Sequence, residues 1–171
     1  MITVAICDSD SLQRKHIAEL ADIILKKCSV EHKIFSFEDG KGLSDFVFAK
    51  GNVCDIAFLS IDPDSKSGLA LSLKLTDRFP EMQMILVTAY VENARNIYTV
   101  KYADFLVTPL NADNLQLVLT RAVQNVTKVR SSYITLNYDN CVTVLNTNEI
   151  KYCESAGRRL VVHTLSGTYI S

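Results

Sequence analysis

Long apolar runs are missing from this chain. None approaches the roughly 18 residues that a membrane-spanning helix requires, although hydrophobic residues make up 48% of the sequence. The opening stretch MITVAICDSD carries no basic leader and no cleavage-site pattern, and it reads as a strand from its second residue, so a cytoplasmic protein is expected. An excess of charge is missing too. With 18 Lys and Arg against 19 Asp and Glu, nothing global calls for a nucleic acid or a membrane surface. There are six glycines but no G-x-G-x-x-G and no P-loop, which leaves nucleotide binding without support. The five cysteines, Cys7, Cys28, Cys54, Cys141 and Cys153, are an odd number with no C-x-x-C pair. That pattern excludes a disulfide scaffold and suits small buried thiols in a reducing compartment. Internal repeats and low-complexity tracts are absent as well.

What is there changes character once along the 171 residues. Up to about residue 125, short apolar runs alternate with longer helical periodicity. Strands are predicted at 2–7, 32–37, 55–60, 82–90 and 103–108. Helices are predicted at 11–27, after Gly40 and Gly42, from about Gly68 to Phe79 where Pro80 stops it, at 91–100, and at 111–129. Runs such as MILV and AFL, apolar on both faces, are what a parallel sheet covered on both sides requires. The expected fold is an open, doubly wound α/β domain with five strands. Past about residue 129, short β-branched runs are broken by YDN, NTN, SAGR and SG, which are hairpin signals. The predicted layout is an α/β domain at 1–125, a linker at 126–132, and an incomplete all-β unit at 133–171 with too little chain to bury a core of its own. Charge follows the same division: 1–125 holds 13 basic and 16 acidic residues, net −3, and 126–171 holds 5 and 3, net +2.

In open parallel sheets, ligands bind beyond the carboxyl ends of the strands, at a switch in strand order. That rule selects Asp8, Ser9 and Asp10 after the first strand, Ser60 after the third, Thr88 after the fourth, and Thr108 with Pro109 after the fifth. All of these tips are expected to converge on one shallow pocket.

The ordered segments AICDSD, IAFLSIDPDSKSG, ILVTAYVENARNIYTV and YADFLVTPL resemble the receiver domain of bacterial response regulators, over residues 1 to about 125. The glycine eight residues after Ser60 and Pro109 after the fifth strand contribute to that likeness. The stretch 142–171 looks like the start of a LytTR-type DNA-binding domain. The resemblance implies two-component signalling by a flavodoxin-like receiver, in which an aspartate at the third-strand tip accepts a phosphoryl group. Two acids after the first strand would hold Mg²⁺, a Thr or Ser ends the fourth strand, and a Lys precedes the proline. Here the acceptor position is Ser60, the acid pair is reduced to Asp8 and Ser9 with Asp10 next door, and the lysine position is Thr108. Thr88, Phe105 and Pro109 match. Without a carboxylate nucleophile, phosphotransfer has no acceptor. One aspartate plus waters is a weak site for Mg²⁺, so no cofactor is expected beyond a weak Mg²⁺ site at Asp8, with Asp10 next door.

The implied protein is therefore a non-enzymatic pseudo-receiver in a transcription regulator, controlled by dimerisation or partner binding, with the 91–125 face as the docking surface. An interaction module or antagonist of other regulators that never touches DNA is the competing reading. Asp62 and Asp64 are read as solvated loop acids, and no substitute acceptor is expected among them. The Cys7–Leu12 stretch also resembles the opening of haloacid-dehalogenase phosphatases, with Asp8 as nucleophile. That family needs a lysine and a late acid pair that are missing here. In the tail, Arg158 and Arg159 fall where a LytTR-type loop would meet DNA, and arginine suits phosphate and guanine. His163 reads as a strand residue. This fragment by itself is expected to bind DNA weakly or not at all.

Overall fold

The computed structural model describes residues 1–61, 66–89, 103–138 and 141–170. The predicted helix at 91–100, the loop acids Asp62 and Asp64, and the 91–102 part of the predicted docking face lie outside the described residues. Two compact units are present, Met1–Val126 and Thr127–Ser171.

The first unit is built on β1 (Ile2–Cys7), whose six residues are all buried. β1 pairs in parallel with β2 (His32–Phe37) on one side and with β3 (Ile56–Ser60) on the other. β4 (Gln83–Thr88) and β5 (Ala103–Val107) extend the sheet, giving the order β2-β1-β3-β4-β5. This is the five-stranded parallel sheet expected from the apolar runs, in the flavodoxin-like order.

Alternation along β1 sends its side chains into two separate cores. Val4 and Ile6 pack with Ile17, Leu25, Phe58 and Leu119 on one face. Ala5 and Cys7 pack with Leu43, Val47, Leu59 and Leu75 on the other. α1 (Ser11–Lys27) serves the first core through Ile17, Ala21, Ile24 and Leu25, which share one face at helical spacing. Its N-cap is Asp10, whose carboxylate accepts from the amides of Leu12 and Gln13 at 2.8 and 3.3 Å. Its last turn ends on Ser29 at φ 55°, while the Val30 amide bonds back to the Leu25 carbonyl.

On the opposite face, α2 (Gly40–Phe48) is capped by Asp39, which accepts from Gly42 N at 2.7 Å. α3 (Lys66–Arg78) begins two residues before the predicted start and still stops short of Pro80. Gly68 lets it lie tight against the end of β3: an added Cβ would sit 2.9 Å from Ile61 Cγ2.

α4 (Ala112–Ser131) closes the first core with Leu115, Val118, Leu119, Ala122 and Val126. Asn111 accepts from Asp113 N at 2.8 Å at its start, and Arg121 Nη1 reaches both carboxylate oxygens of Asp104 on β5 at 2.9 and 3.1 Å. The helix corrects one expectation. Residues 126–131, read as linker, are its final turns. That stretch holds neither Pro nor Gly, and Lys128 and Arg130 in the last turn suit the negative end of the helix dipole. The Ser132 hydroxyl then caps the Lys128 carbonyl at 2.9 Å.

The second unit is antiparallel, as the turn signals required. β6 (Tyr133–Tyr138) pairs with β7 (Cys141–Asn146). β8 (Ile150–Ala156), β9 (Arg159–Thr164) and β10 (Thr168–Ile170) form a three-stranded sheet. The unit does bury a small core, contrary to the expectation. Leu136, Leu145 and Val162 lie inside, with Ile134, Ile150 and Tyr169 against them. The β8–β9 turn is Gly157-Arg158, with Gly157 at φ 69° supplying the left-handed position such a tight hairpin needs.

The close approach at Gly68 generates a stability test. Gly68→Ala adds a methyl against a β-branched side chain that has little freedom to retreat, and overpacking of this kind typically costs about 1–3 kcal/mol. The gain in helix propensity offsets under about 1 kcal/mol of that. The midpoint of urea unfolding is expected to fall; an unchanged or raised midpoint would show that Ile61 yields freely.

Candidate functional site

Parallel pairing sets the site. Cys7 on β1 is in register with Leu59 on β3, so the next residues, Asp8 and Ser60, stand side by side at the carboxyl ends of the two strands, where strand order reverses. Asp8 is only 4% exposed. Its Oδ1 accepts from the backbone amide of Asp10 at 2.8 Å and its Oδ2 from Gln13 Nε2 at 2.6 Å. Arg14 Nη1 donates to the Asp8 backbone carbonyl. Asp10 is turned into α1 as its cap. The sequence reading missed Gln13 and Arg14.

Asp8, Ser9 and Ser60 share a cavity of about 500 Å³ with Cys7 and Leu59. Its other wall is Glu38, Asp39, Gly40, Lys41 and Ser44 at the start of α2, with Ser67, Gly68 and Leu71 on α3. None of the α2 residues was anticipated as part of the site, although Asp39 before two glycines carries an N-cap signal. Thr88, Phe105, Thr108 and Pro109 are not among the residues lining this cavity. Thr88 is buried at the tip of β4, and its carbonyl accepts from Thr108 N at 2.9 Å, joining the ends of β4 and β5. Phe105 is 39% exposed on β5. The Thr108–Pro109 peptide bond is cis. Among the described residues, the β1 and β3 tips share this cavity with the start of α2.

The donor set fits Mg²⁺ poorly. Octahedral Mg²⁺ calls for hard, anionic oxygens. Of the three carboxylates that line the cavity, Asp8 already accepts a hydrogen bond on each oxygen and Asp39 caps α2, which leaves Glu38 and the neutral hydroxyls of Ser9 and Ser60. Among the described residues, no cluster of three His, Cys, Asp or Glu side chains is arranged to hold a metal ion.

The cavity floor is electrostatically unusual at Cys7. Burial first, and then the neighbouring Asp39 and Asp8 carboxylates, push its thiol up from 9.0 to about 12, against a smaller opposing effect of Arg14. Cys54 is likewise pushed up to about 12, by burial and then by Asp55. Asp55 is itself buried, accepting from Thr3 N at 2.8 Å at the other end of the sheet.

In the second unit, Arg158 and Arg159 are exposed at the tip of the β8–β9 hairpin. His163 lies within β9, as read. Its Nε2 donates to Glu154 Oε1 at 2.9 Å, Nδ1 faces the Thr168 hydroxyl at 3.1 Å, and the ring stacks on Tyr152 at 4.3 Å.

All five cysteines are free thiols, and their settings generate a prediction. Cys28, Cys141 and Cys153 are exposed, whereas Cys7 and Cys54 are held protonated. Alkylation of the folded protein near neutral pH is expected to modify the first three quickly and the other two only on unfolding, read by peptide mass mapping. Both raised thiols keep protons that the unfolded chain releases. Their stabilising contribution is therefore complete below pH 9 and is lost as pH rises from 9 toward 12. Cys7→Ser should flatten that alkaline decline.

No family model matches the chain. Among curated proteins, the sensory transduction protein LytT of Oceanobacillus iheyensis is 21% identical over 123 residues, covering 68% of this chain and 50% of LytT. The chain thus spans about half the length of that relative. Among solved structures, the response regulatory domain of mrkE from Klebsiella pneumoniae superposes with a TM-score of 0.63 at 20% identity, covering 74% of this chain and 99% of that domain. A response regulator receiver domain from Clostridium thermocellum gives 0.60 at 18% identity, over 75% of this chain and 98% of that one. The first unit has the fold of a response-regulator receiver domain, and the chain carries a weak sequence similarity to LytT.

Proposed function

We propose that the first unit is a receiver that no longer performs phosphoryl chemistry, and that the protein is a transcription regulator controlled by dimerisation or partner docking. The observation that carries this reading is Ser60 at the tip of β3. A serine hydroxyl in place of a carboxylate is a poor acceptor for an acyl-phosphate reaction. The loss is matched at the tip of β5, where Thr108 stands before Pro109. Removing one member of a buried ion pair costs about 3–5 kcal/mol, whereas replacing both by neutral groups is often close to neutral. Ser60 with Thr108 fits the double replacement.

The LytTR-like reading of the tail supplies the output. A completed β domain would meet DNA through hairpin loops, with Arg158 and Arg159 at the tip of one of them as phosphate or guanine contacts. The partner is a second copy of this chain or another regulator, and the 91–125 segment is the surface offered.

Incubation with acetyl phosphate and Mg²⁺, followed by intact mass measurement, tests the central claim. No acid-labile phosphate is expected on the wild-type chain. Stoichiometric acid-labile phosphate would sink the reading, whichever residue carried it.

A further inference from the structure

The buried acid at the tip of β1, Asp8, is engaged by its own helix. The stretch Asp10-Ser11-Leu12-Gln13 has the capping-box pattern, in which the residue three beyond the cap reaches back to the cap's own N–H. Here the geometry is rerouted. The Asp10 N–H goes to Asp8 Oδ1 at 2.8 Å, which releases Gln13 to donate its amide to Asp8 Oδ2 at 2.6 Å. Arg14, the next residue, brings its guanidinium to the Asp8 carbonyl. Asp8 is 4% exposed, and Gln13 and Arg14 are half-buried beside it. Its carboxylate is thus met by one donor on each oxygen, while the Arg14 guanidinium sits on the adjoining backbone carbonyl. Those are the two things a hydrated divalent ion would bring to the same place.

We infer that Gln13 and Arg14 are a built-in substitute for the ion, holding the end of β1 and the first turn of α1 in one arrangement whether or not Mg²⁺ is present. The inference builds on the pseudo-receiver reading, since a receiver freed from phosphotransfer has no further use for the metal. Both residues are positioning residues. They act through Asp8 and carry out no chemistry of their own. A cap network alone would stabilise α1 equally well but would leave the carboxylate open to a cation, so cation access separates the two.

Mn²⁺ is the probe, used on the full ¹⁵N-labelled chain. In wild type, the amides of Asp8, Ser9 and Ser60 are expected to lose no more intensity than exposed amides elsewhere. In Gln13→Ala those three amides are expected to broaden selectively. A second measurement, the Asp8→Asn and Gln13→Ala double-mutant cycle, is expected to show a coupling of roughly tenfold or more in the unfolding equilibrium, as a hydrogen bond to a charged group gives. Selective broadening in wild type, an identical response in wild type and Gln13→Ala, or additive mutations would each overturn the inference. Neither measurement involves phosphate. Acid-labile phosphate on a chain that stays silent to Mn²⁺ would remove the pseudo-receiver reading and leave the clamp, and Mn²⁺ broadening without phosphate would do the reverse.

Discussion

The pairing of β1 with β3 at the centre of the parallel sheet is the contact on which the other features depend. β1 is buried along its whole length, so each of its side chains must find an apolar partner on one face or the other. Val4 and Ile6 do so against α1 and α4, and Ala5 and Cys7 against α2 and α3. Because the strand order turns around at this pair, the connections from the two tips diverge to opposite faces and leave a crevice between them. Asp8 and Ser60 enter that crevice because Cys7 and Leu59 are in register. A slip of one residue would send both cores to the wrong faces and remove the site as well.

Within that crevice, charge is the second constraint. A buried carboxylate needs donors or a counter-charge, and an isolated one would cost several kcal/mol or take up a proton. Asp8 meets the requirement locally, through the Asp10 amide and Gln13. Ser60 and Thr108 avoid it by being neutral. Among the described residues, no buried side-chain polar atom is left without a partner. The buried Asp8 carboxylate is therefore satisfied by donors from its own chain.

Most of the sheet was legible in the sequence because its signal is strong and local. Runs such as IAFL and MILV have no polar interruption, so only a strand covered on both faces accommodates them. Helix ends were harder. Gly68 lies inside α3, packed closely against Ile61, and so does not mark the helix start. α4 runs through the supposed linker because nothing in VTKVRS interrupts a helix. The strand-end rule located Asp8, Ser9 and Ser60. It could not locate the α2 wall of the cavity, since which helix flanks which tip follows from strand order, a property of long-range pairing. Nor could it find Gln13, whose pattern reads as an ordinary capping box until the position of Asp8 is known.

A ligand or partner can shift a conformational equilibrium only by as much as its affinity differs between the two states. A phosphoryl group achieves this at one atom, by adding charge that a nearby cation must answer. On the proposed reading, Ser60 removes the acceptor for that charge, Thr108 removes the lysine that would answer it, and the tie from Gln13 to Asp8 removes the metal. The differential contact must then come from area. Moving a two-state equilibrium from 1:99 to 99:1 takes about 5.5 kcal/mol of preference. At roughly 25 cal/mol per Å², apolar burial of a few hundred Å² is needed before ordering costs are met. That is the scale of a protein surface and not of a cavity at one strand tip. On the proposed reading, docking is the form of control that supplies such an area.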